Sequence, residues 1–126
     1  MSIWEFENAT CIRDDKENPI VDKSFQFAVE IVEFCDLLYE NKKHVIGQQL
    51  LKSGTSIGAN IREAQNAESK ADFIHKMKIA AKEADETEYW LSICRNSNSY
   101  PTNLILIEKV NELLRILSKI ISSSKS

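Results

Sequence analysis

The sequence of 126 residues has only three glycines and two prolines. So few chain breakers, and no strand-like alternation of apolar and polar residues bounded by turn residues, argue against a β fold. His44 and His75 are the only histidines, and neither a Gly-rich phosphate loop nor a nucleophile elbow is present, so the convergent groups that catalysis needs are scarce. Cys11, Cys35 and Cys94 are odd in number and form no C-x-x-C pair, which fits a reducing compartment. No run approaches the roughly 20 apolar residues of a membrane span, and the first residues lack a basic segment followed by an apolar stretch. A soluble, cytoplasmic protein is expected.

What is present is helical pattern: 43% of residues are hydrophobic and 28% charged, in one domain long enough to bury a single core. Asn18 and Pro19 supply an N-cap and a first-turn proline, and a helix is expected to begin there. It carries Phe25, Ala28, Val32, Cys35 and Tyr39 on one line and Phe27, Ile31, Phe34 and Leu38 on another. Only a narrow polar stripe of Gln26, Glu30, Glu33 and Glu40 remains, too little for a one-sided surface helix. Asn41 to Lys43 form a turn into a second helix over about His44 to Asn66, whose seam is Ile46, Leu50, Ser53, Ile57, Ile61 and Ala64. Gly47, Gly54 and Gly58 flank that seam. A glycine costs about 1 kcal/mol against alanine inside a helix, so three there predict close approach of another helix.

Ser69 opens a third helix, about Ala71 to Asn96, with Asp72 completing an S-x-x-[DE] capping pattern. Phe73, Met77, Ala80, Ala84, Thr87, Leu91 and Cys94 form its seam, and Ile79, Glu83, Glu86, Trp90 and Ile93 a second line that implies a wide core or a contact between subunits. The stretch 96–102 reads as a loop. A fourth helix, about Asn103 to Ile121, presents Leu106, Val110, Leu113, Leu117 and Ile120 together with Ile107, Leu114 and Ile121. The fold class is therefore all-α, an antiparallel up-down-up-down four-helix bundle over residues 18–122. Residues 1–17, with Ile3, Trp4 and Phe6 among acids, read as an arm that is disordered or lies in an apolar groove, and residues 123–126 as a frayed tail.

Charge is unevenly spread: net −7 over residues 1–41, +5 over 42–82 and −1 over 83–126, within a total of −3. The central excess makes Lys42, Lys43, Lys52, Arg62, Lys70, Lys76 and Lys78 candidate nucleic-acid contacts, with Lys82 beside them, although acidic and basic regions equally pair within or between subunits. Without an aromatic platform interleaved among these bases, such binding is expected to be weak, salt-sensitive and sequence-blind. Asn60 and Glu63 on the second helix with Lys82, Glu83, Glu86 and Trp90 on the third form a candidate polar cluster, in which Glu86 is expected to be held by Lys82 or by a neighbouring subunit's base. Asp72 and His75 form half of an acidic-x-x-His metal pair, but the second half is missing and His75 falls opposite the core seam. No metal, cofactor or catalytic residue is assigned.

The stretches ENPIVDKSFQFAVEIV and QLLKSGTSIGANIREAQNAESKADFIHKMKIAAKEADETEYWLSI resemble the four-helix bundle family of 23S rRNA intervening-sequence proteins. The resemblance runs from about Glu17 to the end of the fourth helix. Its specific blocks are SIGAN-x-x-EA and KEA-x-ET-x-YWL, which bring in Ser53, Ser56, Ile57, Gly58, Asn60, Glu63, Lys82, Glu83, Glu86, Trp90 and Leu91. It implies an antiparallel bundle assembling into a ring-shaped homopentamer and supplies no catalytic role for any of these residues. A related family, the accessory variability determinant proteins of diversity-generating retroelements, consists of basic pentamers that bind nucleic acid and a reverse transcriptase, whereas this chain is acidic. The expected function is a non-enzymatic homo-oligomeric bundle that binds RNA or a partner protein, or else a purely structural assembly module.

Overall fold

The structure, a computed structural model, describes residues 18–125; the expected arm of residues 1–17 lies outside them, as does Ser126. The described residues form four helices and no strand: α1 (Pro19–Glu40), α2 (His44–Ala64), α3 (Lys70–Asn96) and α4 (Leu104–Ser124). None of these is long and apolar enough to cross a membrane.

The local chemistry at each end explains most of these limits. Pro19 occupies the first turn of α1, where its missing N–H costs nothing. Asn18 does not cap the helix as expected, because its side-chain amide is drawn across to α2, donating to Gln65 Oε1 at 2.7 Å. α1 ends in a Schellman arrangement: Lys42 N donates to Tyr39 O at 2.9 Å and Lys43 N to Leu38 O at 2.8 Å. Lys42 takes the left-handed conformation this needs, with φ 63°, a position usually given to glycine. Ser69 caps α3 as the pattern implies, its Oγ accepting from Asp72 N at 3.0 Å, while Asp72 Oδ2 accepts from Glu68 N at 3.3 Å. Asn103 caps α4 by accepting from Leu106 N at 3.0 Å. α4 continues past Ile121 to Ser124, whose hydroxyl donates to Ile120 O at 2.7 Å.

Each helix packs on the next in sequence and α1 also meets α4, leaving α1 diagonal to α3 and α2 to α4. The buried lines are Ile20, Ser24, Phe27, Ile31, Phe34, Cys35 and Leu38 of α1, and Leu50, Ser53, Ile57, Ile61 and Ala64 of α2. Met77, Ala80, Ala84, Thr87, Leu91 and Cys94 of α3 and Leu106, Val110, Leu113 and Leu117 of α4 complete the core. The wide apolar face of α1 is only half used: Phe25 and Val32, from the first of its two lines, stay 53% and 43% exposed. Cys35 and Cys94 are buried and unpaired, and burial with the Asp36 charge pushes the Cys35 thiol up to about 12, so it stays protonated and donates to Gly47 O at 3.5 Å.

The glycines of α2 face α1. A Cβ at Gly54 would lie 2.8 Å from Ile31 Cγ2, and one at Gly58 would lie 3.2 Å from the Ser24 carbonyl oxygen. At Gly47 the nearest atom would be the Tyr39 ring at 3.4 Å, an ordinary contact. Ile31 is fully buried and stiff at its branched Cβ, so it cannot swing aside. Gly54→Ala should therefore destabilise the fold by about 1–3 kcal/mol through overpacking, despite the better helix propensity of alanine. Gly47→Ala should be neutral or stabilising by up to about 1 kcal/mol. Urea unfolding of both variants checks the contrast, and equal effects would contradict it.

Candidate functional site

The polar row expected between α2 and α3 is present but is not one cluster within a single chain. Asn60 turns back on its own helix, Nδ2 donating to Ser56 O at 2.9 Å. Glu63 faces Lys76, not Lys82, at 3.8 Å, and Lys76 also stands 4.0 Å from Asp72. Lys82 and Glu86 are exposed, and Glu86 accepts from Trp90 Nε1 at 3.2 Å, one turn along α3, in place of the expected Lys82 partner. Lys82 and Trp90 both stand one turn from Glu86, so spacing admits either; the half-buried indole holds its N–H at the carboxylate, while the exposed Lys82 extends into solvent. Glu83 is half-buried, and burial pushes its carboxyl up, the Glu86 charge adding to this and the Lys52 ammonium opposing it. Trp90 is half-buried, with Tyr89 edge-on to it at 5.3 Å between centroids.

The basic candidates spread along the bundle. Lys42 and Lys43 sit in the α1–α2 turn, where Lys43 lies 4.7 Å from the centroid of the Tyr100 ring and donates to Ser99 Oγ at 3.5 Å. Lys52 lies mid-way along α2 near Glu83. Arg62 is near the far end of α2, its guanidinium 5.6 Å from the centroid of the Phe25 ring. Lys70 opens α3, and Lys76 and the exposed Lys78 follow in its first turns. From Lys43 to Arg62 the helix rises about 30 Å, so these bases line a length of the molecule and do not converge on a pocket. Among the described residues no group of three or more His, Cys, Asp and Glu side chains could hold a metal ion. Asp72 is engaged in the α3 cap and His75 is exposed.

Sequence reading missed the contact that joins α2 to α3 in the core. The Ser53 and Thr87 hydroxyls lie 2.9 Å apart, both fully buried; Thr87 donates its one proton to Glu83 O at 2.7 Å and accepts from Ser53, whose Oγ also lies 3.4 Å from Leu50 O. The available signal was a single hydroxyl interrupting each apolar seam. Two clefts flank α1. Towards α4, Lys109 Nζ reaches Glu30 at 2.7 Å and Lys23 reaches Glu112 at 3.4 Å over an open cleft of about 220 Å³ floored by Phe27 and Leu113. Towards α2, an apolar groove of about 270 Å³ runs between Val21, Phe25 and Ala28 on one side and Thr55, Gly58, Ala59 and Arg62 on the other.

These features define a helical bundle whose unusual residues serve packing, with polar groups arrayed along its outer faces. The chain belongs to the 23S rRNA-intervening sequence protein family, whose model matches residues 16–122. It is similar to a crystal structure of a protein of unknown function from the S23 ribosomal protein family of Bacteroides thetaiotaomicron VPI-5482. The two are 45% identical, the match covering 81% of this chain and 97% of that one with a TM-score of 0.77. No curated protein matches.

Two outcomes follow from the polar contacts. Thr87→Val keeps the shape but removes the cross-helix contact, leaving Ser53 only the longer contact to Leu50 O at 3.4 Å, and should cost about 0.5–1.5 kcal/mol; Ser53→Ala added to it should cost less than Ser53→Ala alone, because the contact it would break is already gone. Chemical unfolding of single and double variants measures this, and strictly additive losses would refute the coupling. For Glu83, a folded value raised above the ordinary 4.5 means that stability is highest below that value and is lost as pH rises through the raised one. Glu83→Gln should raise the melting temperature at neutral pH and lose that advantage near pH 4; an equal gain at both would contradict the assignment.

Proposed function

We propose that this protein is a non-enzymatic, up-down-up-down bundle that assembles with copies of itself into a pentameric ring and binds structured RNA through scattered phosphate contacts. The observation that carries the assembly is the placement of its exposed apolar residues. Val29, Val32 and Leu37 stay exposed on α1 while Tyr89 stays 58% exposed on α3, the helix diagonal to it. A ring needs two different surfaces on each subunit that meet head to tail, and outer faces on diagonal helices point away from each other as such surfaces must. Membership of the family, whose resemblance implies a ring-shaped homopentamer, supports the same reading.

The RNA reading rests on the bases along α2 and the start of α3. Lys42, Lys52 and Lys78 are exposed on three separate stretches, which suits a long polyanion and suits a small ligand poorly. A purely structural assembly module is favoured instead by the bases already engaged within the chain, Lys43 on Tyr100 and Lys76 with Glu63 and Asp72.

Light scattering at micromolar concentration should report five chains per particle; a monomer would remove the ring, and a dimer would replace it with a two-fold contact. Titration with structured RNA should show binding at low salt that falls steeply towards physiological salt and is indifferent to sequence. Absence of binding even at low salt would favour the structural module, and tight sequence-selective binding at physiological salt would overturn the account of scattered contacts.

A further inference from the structure

Two diagonal helices of the bundle each carry a line of exposed side chains. On α1 it is Asp22, Phe25, Val29 and Val32, at spacings of three and four, the last three being 53%, 36% and 43% exposed. On α3 it is Lys78, Lys82, Asp85 and Tyr89, all exposed, Tyr89 by 58%. Among the described residues Asp22, Lys78 and Lys82 have no ion-pair partner. Contacts inside the bundle fix the height of each line along its axis. Ile31 lies at Gly54, and Ser53, the residue before Gly54, meets Thr87. At about 1.5 Å of rise per residue, Val32 and Tyr89 therefore stand within about 3 Å of one height, on opposite sides of the molecule. Ser24 lies at Gly58, one turn further along α2, and α3 runs against α2, as Ser53 with Thr87 and Glu63 with Lys76 show. Ser24 is thus level with Lys82, and Asp22 falls about 3 Å in height from each of Lys78 and Lys82.

We infer that copies of this chain stand side by side with their bundles parallel, the α1 line of one against the α3 line of the next, so that Val29 and Val32 pack on Tyr89 and Asp22 sits between Lys78 and Lys82. The contact rests on the assembly proposed above but not on its number of copies. Rotation about an axis along the bundles carries no shift along that axis, so a closed assembly joins residues of equal height. At equal heights these two lines offer apolar side chains to an aromatic ring and an acid to two bases. Charge selects α3 over a second α1 as the occupant: Pro19–Glu40 holds five acids and one base, whereas residues 70–82 hold four bases and one acid. Two α1 faces would set acid against acid. Asp85, the one acid on the α3 line, comes level with Val29 and meets no acid there. The contact engages Lys78, which leaves Lys42 and Lys52 of the exposed bases assigned to RNA.

Cross-linking of the full chain tests the pairing, in a Cys11→Ser background where the other thiols, Cys35 and Cys94, are buried. Val32→Cys combined with Tyr89→Cys should give, on mild oxidation, a ladder of disulfide-linked copies on a non-reducing gel. Asp22→Cys combined with Tyr89→Cys places the thiols about 13 Å apart in height and should give none, because bridged Cα atoms lie within about 7 Å. Neither Val32→Cys nor Tyr89→Cys alone should link, and pairs formed by either would mean a two-fold contact and overturn the inference. In the charge arm, Asp22→Lys should make the particle dissociate at several-fold higher protein concentration with circular dichroism unchanged, and adding Lys78→Glu and Lys82→Glu should restore it. An oligomeric parent whose Val32 and Tyr89 cysteines do not link, or whose charge reversal is not rescued, overturns this pairing and leaves the assembly standing. A monomeric parent removes the assembly and the pairing with it.

Discussion

The close approach of α1 to α2 over Gly54 and Gly58 is the constraint on which the other contacts depend. Ile31 fills the space a side chain at Gly54 would occupy, and the Ser24 backbone stands over Gly58 in the same way. Along this seam Leu38 and Tyr39 meet Gly47, Ile31 meets Gly54 and Ser24 meets Gly58, so residue numbers fall on one helix as they rise on the next. Cys35 adds its thiol to the Gly47 carbonyl, and Asn18 adds its amide to Gln65 at the far end. The cost of three glycines in one helix is offset by a fit between helices that larger residues would prevent.

Once α1 is held against α2, its remaining neighbour meets it along a narrower strip. Above Phe27 and Leu113, α4 is tied to α1 by Lys109 with Glu30 and Lys23 with Glu112, across an open cleft. Both pairs are partly exposed, so they add about 0–1 kcal/mol each and act chiefly on register. The core's few polar residues behave differently. Ser24, Ser53 and Thr87 are fully buried, and each hydroxyl has a partner: Ser24 donates to Val21 O at 3.1 Å, and the other two meet each other. Each of these two also has a carbonyl of its own helix in reach, Leu50 O at 3.4 Å from Ser53 and Glu83 O at 2.7 Å from Thr87, so their mutual contact adds a preference for one sliding position of α2 on α3.

The folded charge pattern also differs from the linear one. Residues 42–82 hold the basic excess, yet Lys76 stands between Glu63 and Asp72, and Lys52 lies near Glu83. What faces solvent is a set of separate bases along a helix pair, beside apolar residues that a single bundle leaves uncovered.

The number of helices, their ends to within a residue or two save that α4 runs three residues past Ile121, the Ser69 cap and the seams of α2, α3 and α4 were legible in the sequence. Each follows from local hydrogen bonding or from a period of 3.6 residues, which the chain carries without reference to its neighbours. The three glycines likewise announced a close neighbour. The tertiary structure alone decided that this neighbour is α1, which of its two apolar lines is buried, and why Asn18 turns to Gln65 instead of capping its own helix. It also decided that Ser53 finds Thr87 and that Glu86 answers to Trp90. Such choices depend on the shape and distance of the surface opposite, and residue spacing along one helix holds no information about that surface.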